Sequence, residues 1–172
     1  MTAHTWDSII IGGGAAGLSA AQALGRSLRR TLVIDAGAPR NRFAAHMHNV
    51  LGHDGTPPRE LYARGRREAE GYGVEFLDAS VDAVIESTDG LRVRLSDAQE
   101  LHAKTLVVAT GTSDELPAIP GLAEHWGSSV LHCPYCHGWE VRGRRLAVLA
   151  TSPLSAHQAN LLRQWSDRLT VF

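Results

Sequence analysis

A short apolar run, Ile9-Ile10-Ile11, stops at three consecutive glycines and passes into a small-residue stretch, Ala15-Ala16-Gly17-Leu18-Ser19-Ala20-Ala21. No other stretch constrains the fold as much. Strands covered on both faces are apolar without alternation, so the run reads as a buried parallel strand. Gly12, Gly14 and Gly17 fit G-x-G-x-x-G in the setting that gives this pattern meaning: strand, tight turn, helix. Gly12 allows the turn. Gly14 lets the backbone approach a pyrophosphate, and Gly17, with Ala16 and Ala20, lets the helix lie close on the strand. Free N–H groups at the helix start, around Ala15 and Ala16, then face the phosphate charge.

The spacing predicts a helix over residues 15–24, ended by Gly25, and a second parallel strand over 31–35. Asp35 follows Gly17 at close to the ~20-residue offset of a carboxylate that binds a ribose hydroxyl. The plainer reading is a surface Asp at a strand end; the glycines favour the ribose. Residues 36–55 are irregular and rich in Gly, Pro, Asn and His, long for a loop and therefore read as functional. His46, His48 and His53 lie there, but no carboxylate or cysteine pattern makes them a metal site. A helix is expected from Thr56-Pro57-Pro58 through Glu70, with proline at its start. Its Arg64, Arg66 and Arg67 alternate with acids and read as a solvated face.

A short strand follows over 74–77. Residues 80–86 and 91–95 read as antiparallel strands about Asp89-Gly90, a hairpin signal. A third meander strand is expected at 100–103, then a separate apolar strand from Thr105 that ends in the small-residue turn Ala109-Thr110-Gly111. The fold class is therefore α/β: a Rossmann-like domain with a parallel sheet, a crossover helix and an antiparallel β-meander. The proline-rich joint Leu116-Pro117-Ala118-Ile119-Pro120-Gly121 marks a boundary, giving domains 1–116 and 117–172. Beyond it, a strand at 145–150, a helix at 155–165 and a strand at 169–172 open a second Rossmann-like unit. Two strands with bare edges do not make a stable sheet, so the chain reads as cut off.

Of the 172 residues 44% are apolar, enough for a buried core, and the formal net charge of −1 gives no case for nucleic acid or an anionic membrane surface. The start, Met1 to Asp7, has no basic n-region, and no apolar stretch is long enough to span a bilayer. The expected location is cytoplasmic, with neither nucleic acid nor membrane as a partner. The two cysteines, Cys133 and Cys136, then read as catalytic or metal-binding rather than as a structural staple.

His132-Cys133-Pro134-Tyr135-Cys136-His137 brings two sulfurs within disulfide reach. A helix start there, with the flanking histidines, favours a thiolate. Several readings compete. Cys133 to His137 spells the C-x-x-C-H of haem attachment, but that chemistry needs export, and Met1 and Met47 are poor axial ligands. Zinc would need adjacent residues to converge, with no second cysteine pair. A glutaredoxin-type site has the same tetrapeptide, but too little chain follows to build that sheet. Two buried, reduced cysteines are the bland reading. A redox-active dithiol is favoured over all of these.

With both centres placed, the chain resembles the low-molecular-weight thioredoxin reductases within the FAD/NAD(P) pyridine nucleotide-disulfide oxidoreductases. The marks are Ile11 to Gly17, Asp35, Asn49-Val50-Leu51-Gly52, Ala109-Thr110-Gly111, and the Cys pair ahead of a second Rossmann opening. The resemblance implies that the first glycine motif binds FAD, with Gly12, Gly14, Ala15, Ala16, Gly17, Asp35, Asn49, Ala109, Thr110 and Gly111 as cofactor-binding residues. It implies catalytic roles for Cys136 facing the flavin, Cys133 attacking the substrate sulfur and His137 as general base, and no metal.

His137 stands where reductases of this family usually carry Asp. Cys-Pro-Tyr-Cys-His-Gly-Trp-Glu looks like a branch that includes FAD-dependent dithiol oxidases. NADPH is the family's usual second cofactor. The corresponding stretch here, Leu149 to Ala156, has no glycine, and Pro153 lacks an N–H, which argues against NADPH. The implied partner is a small dithiol or disulfide substrate or a thioredoxin-like protein, and family members are often homodimers. The family's remaining nicotinamide domain and returning FAD segment do not occur in this chain. The alternative is therefore a truncated remnant that binds FAD weakly or not at all and is catalytically inactive.

Overall fold

The computed structural model describes residues 5–88 and 90–172. The chain divides into two compact units, residues 1–42 with 58–115, and residues 43–57 with 116–172. The sequence boundary at 116/117 had left 43–57 with the first unit; the contacts group that segment with the second.

In the first unit β1 (Trp6–Ile11) leads into α1 (Ala15–Arg26), β2 (Thr31–Asp35), α2 (Pro58–Glu70), β3 (Glu75–Asp78), β4 (Val81–Ser87), β5 (Gly90–Leu95) and β6 (Glu100–Val108). The strands form one sheet in the order β3-β2-β1-β6-β5-β4. β1 pairs in parallel with β2 and β6, β2 with β3, while β4, β5 and β6 are antiparallel. This is the expected Rossmann-like α/β sheet. Neighbouring residues Ile9 and Ile10 of β1 serve opposite faces. Ile9 joins Leu32, Ile34, Val93, Leu95 and Ala103 on one side, in a cluster that Trp6 completes at the start of the strand. Ile10 joins Val33, Ala21, Ala69 and Val74 on the other. Ile9 and Ile10 are both 0% exposed, which is why the run could not alternate.

Three expectations are corrected. Residues 100–103 and the strand after Thr105 are one strand, β6. Its first half pairs antiparallel with β5 and its second half parallel with β1, and Ala103 faces Leu91 on one side and Trp6 on the other. Lys104, a polar residue with weak strand propensity, made the run look broken. Gly25 does not end α1. It is buried inside the helix, where a Cβ would meet the Val74 Cγ2 at 2.9 Å and the Tyr72 Cβ at 3.0 Å. The helix closes instead through Arg29 N–H to the Leu24 carbonyl (3.0 Å) and Leu28 N–H to the Gly25 carbonyl (2.9 Å), with Leu28 at φ +57°. That is a Schellman closure with leucine in the usual glycine place. Ala16 is exposed, so of the small residues Gly17 makes the close approach while Ala20 lies against the core. The hairpin expected at Asp89-Gly90 has its Asp89 outside the described residues.

Arg66 on α2 stacks on the Phe76 ring at 4.7 Å and pairs with Asp78 and Glu70. Asp78 foremost holds its guanidinium above the usual range.

The second unit contains α3 (Pro134–Val141), β7 (Leu146–Val148), α4 (Ser155–Leu162) and β8 (Leu169–Val171), with β7 and β8 parallel. Gly138 of α3 is buried under the Trp165 indole, where a Cβ would approach to 2.8 Å, and Tyr135 meets the same ring edge-on at 5.6 Å. Among the described residues no helix is long and apolar enough to cross a membrane.

Candidate functional site

The glycine turn is set by close backbone approach. Gly12 takes φ +106°, and a Cβ there would collide with the Ala109 carbonyl. A Cβ on Gly17 would collide with the Gly12 carbonyl. Gly12 N–H donates to the Ile34 carbonyl and Ala109 N–H to the Ile11 carbonyl, both at 2.8 Å, so the parallel ladder carries β2 and the end of β6 up to the turn. Gly14 is the N-cap of α1, with no side-chain cap and no acid in the first turn. The first intrahelical bond runs from the Leu18 N–H to the Gly14 carbonyl at 2.9 Å. The N–H groups of Ala15, Ala16 and Gly17 thus have no intrahelical acceptor, and Ala15 and Ala16 are exposed. A Cβ at Gly14 would touch nothing within 4 Å. Among the described residues, open space and N–H groups without an intrahelical acceptor thus lie where a pyrophosphate would sit.

Asp35 closes the far side. Its Oδ1 accepts the Gly13 N–H at 3.0 Å. The sequence singled out Asp35 for a ribose and gave Gly13 no part; the only signal for Gly13 was its place inside the motif. Thr110 and Gly111 are exposed beyond β6, and Gly111 takes φ +66°. The segment that follows is tied down by a fork from Arg40 to Asp114, at 2.9 Å for Nε–Oδ2 and 2.5 Å for Nη2–Oδ1. Gly12, Gly14, Ala15, Ala16, Gly17, Asp35, Ala109, Thr110 and Gly111 all belong to the first unit. The donor set fits a dinucleotide: an uncapped helix start, a bare glycine and a carboxylate on the neighbouring strand end.

The second unit holds the other residues. Cys133 is the N-cap of α3, Pro134 occupies the first helical position, and Cys136 follows in the first turn. The two sulfurs are half-buried and 2.7 Å apart. That is short of a full van der Waals separation and within a small motion of the ~2.05 Å disulfide bond. His137 comes next, its Nδ1 buried with no hydrogen-bond partner among the described residues. Asn49 lies in this unit as well, and its Nδ2 donates to the Tyr135 carbonyl at 2.6 Å.

The turn between β7 and α4 is closed by its own side chain. Ser155 is buried, and its Oγ accepts the Thr151 N–H at 3.1 Å and the Ser152 N–H at 3.3 Å. Pro153 has no N–H to offer. In a glycine-rich version of this turn those donors would point at a phosphate; here Ser155 uses them. The sequence showed the missing glycines but not this replacement, which needs Ser155 folded back over the turn.

A family model for pyridine nucleotide-disulphide oxidoreductases matches residues 6–170. The chain is 38% identical over 180 residues to the thioredoxin reductase tcpT of Claviceps purpurea, with 99% of this chain and 56% of that protein covered. Among solved structures it is similar to HlmI, at 48% identity and TM-score 0.93, covering 98% of this chain and 54% of that one. It is similar also to an oxidoreductase from Agrobacterium tumefaciens, at 44% identity and TM-score 0.93, covering 98% and 57%. The chain spans about half the length of the relatives it matches.

Proposed function

Because the chain belongs to the pyridine nucleotide-disulphide oxidoreductase family, we propose that it is built for FAD-linked thiol/disulfide exchange through Cys133 and Cys136. The observation that carries this reading is the pair of sulfurs 2.7 Å apart at the start of α3, with His137 beside them. The N–H groups at Gly14, Ala15, Ala16 and Gly17 would hold the FAD pyrophosphate, Asp35 the ribose, and Ala109, Thr110 and Gly111 the remainder of the cofactor. The cofactor role of Asn49 rests on the resemblance alone. When bound, the flavin supplies a two-electron exchange with the dithiol.

The exchange itself is the work of the chain's own residues. With the pair oxidised, a substrate thiolate attacks the Cys133 sulfur, the Cys133–Cys136 bond breaks, and Cys136 leaves as a thiolate. The second substrate thiolate then attacks the substrate sulfur bound to Cys133. The substrate disulfide forms, Cys133 leaves as a thiolate, and two electrons now reside in the reduced pair. His137 takes or gives the thiol protons, a task suited to an imidazole near neutral pH. Run in reverse, the same steps reduce a disulfide. The substrate is a small dithiol or disulfide, or a thioredoxin-like protein.

Ser155 favours the oxidising direction. With the Thr151 and Ser152 N–H groups already used, this turn offers little to the pyrophosphate of NADPH, leaving oxygen as the electron acceptor. The purified chain should be yellow, or become so with added FAD, and should oxidise a dithiol under air without NADPH. Cys136→Ser should abolish that turnover. Protein that stays colourless with FAD sinks the reading in favour of an inactive remnant, and a strict need for NADPH sinks the oxidase form of it.

A further inference from the structure

Residues 47–56 form a loop closed by its own backbone. Met47 N–H donates to the Thr56 carbonyl at 3.0 Å and Gly55 N–H to the Met47 carbonyl at 2.9 Å, with the Met47 side chain buried. Asn49 sits at φ +64°, a region that asparagine tolerates better than most side chains. Its N–H donates to the Asp54 Oδ1 at 3.1 Å. The loop is thus braced internally, and it presents two side chains to α3. Asn49 bonds the carbonyl of Tyr135, which lies between the two cysteines. The His48 ring lies between two carboxylates, Nδ1 3.4 Å from Asp54 and Nε2 3.5 Å from the Glu140 Oε1.

Glu140 follows Cys136 by four residues and His137 by three, so on a helix these side chains share one face. A carboxylate without a partner on that face opposes a thiolate and competes for the His137 proton. We propose that His48 and Asn49 are positioning residues for the dithiol: Asn49 fixes the backbone between the cysteines, and His48 partners the Glu140 carboxylate on the Cys136 face of α3. The proposal rests on Cys133 and Cys136 being the redox pair. Other charged or titratable groups near α3 are His132 and His137 beside the cysteines, Arg142 stacked on Trp139 at 3.8 Å, Asp54 on the loop, and His157 on α4, whose Gln158 reaches the His132 carbonyl. They are common to every variant below, so differences between variants report the His48–Glu140 pair.

The test is the pH profile of iodoacetamide alkylation of the reduced 172-residue chain. His48→Ala should move the profile to higher pH and slow alkylation at pH 7 by roughly threefold, the scale of one partly exposed polar contact. Glu140→Gln should move it to lower pH. The double variant should follow Glu140→Gln, because His48 then has no carboxylate on α3 to partner and keeps only Asp54 of its own loop. Should His48→Ala fail to fold, as judged by circular dichroism, His48→Gln replaces it. Asn49→Gly keeps the positive φ and removes only the amide, and should speed hydrogen exchange of the α3 amides. Coincident profiles for wild type and the His48 variant, additive shifts in the double variant, or unchanged α3 exchange in Asn49→Gly would each overturn the assignment. Alkylation needs neither flavin nor turnover. A chain that shows the shifts but never turns over a dithiol keeps the clasp and loses the oxidoreductase reading. A chain that turns over with coincident profiles does the opposite.

Discussion

Gly13 donates its backbone N–H to the Asp35 carboxylate at 3.0 Å, joining the middle of the glycine turn to the end of the neighbouring strand across 22 residues of sequence. The carboxylate therefore shapes the turn as well as standing beside it. Asp35→Ala should remove a charge-assisted acceptor and lower stability by about 1.5–3 kcal/mol in urea unfolding. Asp35→Asn keeps an oxygen for Gly13 and should retain most of the stability. Both should weaken FAD binding in a fluorescence titration. Wild-type affinity in both variants would rule out the ribose role.

Gly14 and Gly17 separate binding from folding. A methyl at Gly14 meets nothing, and its φ of −75° suits any residue. Gly14→Ala should therefore change stability by less than about 0.5 kcal/mol while weakening FAD binding by about tenfold or more, 1.4 kcal/mol. At Gly17 alanine would gain about 1 kcal/mol of helix propensity. It would also drive a methyl into the Gly12 carbonyl, and backbone cannot swing aside. The collision wins, with a net loss of about 1–3 kcal/mol expected. Thermal melts of the two variants beside their FAD titrations check both.

Leu28 closes α1 at φ +57° and is 92% exposed, so its side chain gains nothing from packing to offset the left-handed backbone. That conformation costs about 1–2 kcal/mol for an L side chain. Glycine relieves it but is freer in the unfolded chain. Leu28→Gly should raise stability by about 0.5–1 kcal/mol, read as a higher urea midpoint with an unchanged slope.

Lys104 donates to the Asp7 Oδ1 at 2.6 Å, and the Arg30 N–H donates to the Oδ2 at 3.0 Å. Lys104 foremost, then the Arg30 N–H, hold the Asp7 carboxyl below its ordinary value. A carboxyl held low in the fold stabilises above its unfolded value and loses that contribution as pH falls through the folded one. Lys104→Met should therefore be less stable than wild type at pH 7. The two should converge as pH drops below the ordinary carboxylate range. A gap that stays constant down to pH 2 would rule out this linkage.

Much of the arrangement was legible locally. The apolar period marked β1 and β2, Pro58 marked the start of α2, and the cysteine spacing on Pro134 marked the start of α3. Where the reading failed, the deciding contact was distant in sequence. Gly25 read as a stop because a helical glycine usually is one; Tyr72 and Val74, which it packs against, lie far along the chain. Lys104 read as a break in the strand, yet its neighbours pair on both sides with β5 and β1. His48 read as one loop histidine among three until the loop was placed on Glu140.

By itself the sequence determined the order of strands and helices, the glycine turn and the cysteine pair, because each is written in short-range periodicity and backbone permission. Tertiary structure alone decided that β6 serves two partners, that Asp35 holds Gly13, that Ser155 fills its own turn, and that residues 47–56 grip the dithiol helix. Those are pairings between distant residues, and only the register of the assembled strands and helices brings their atoms within bonding distance.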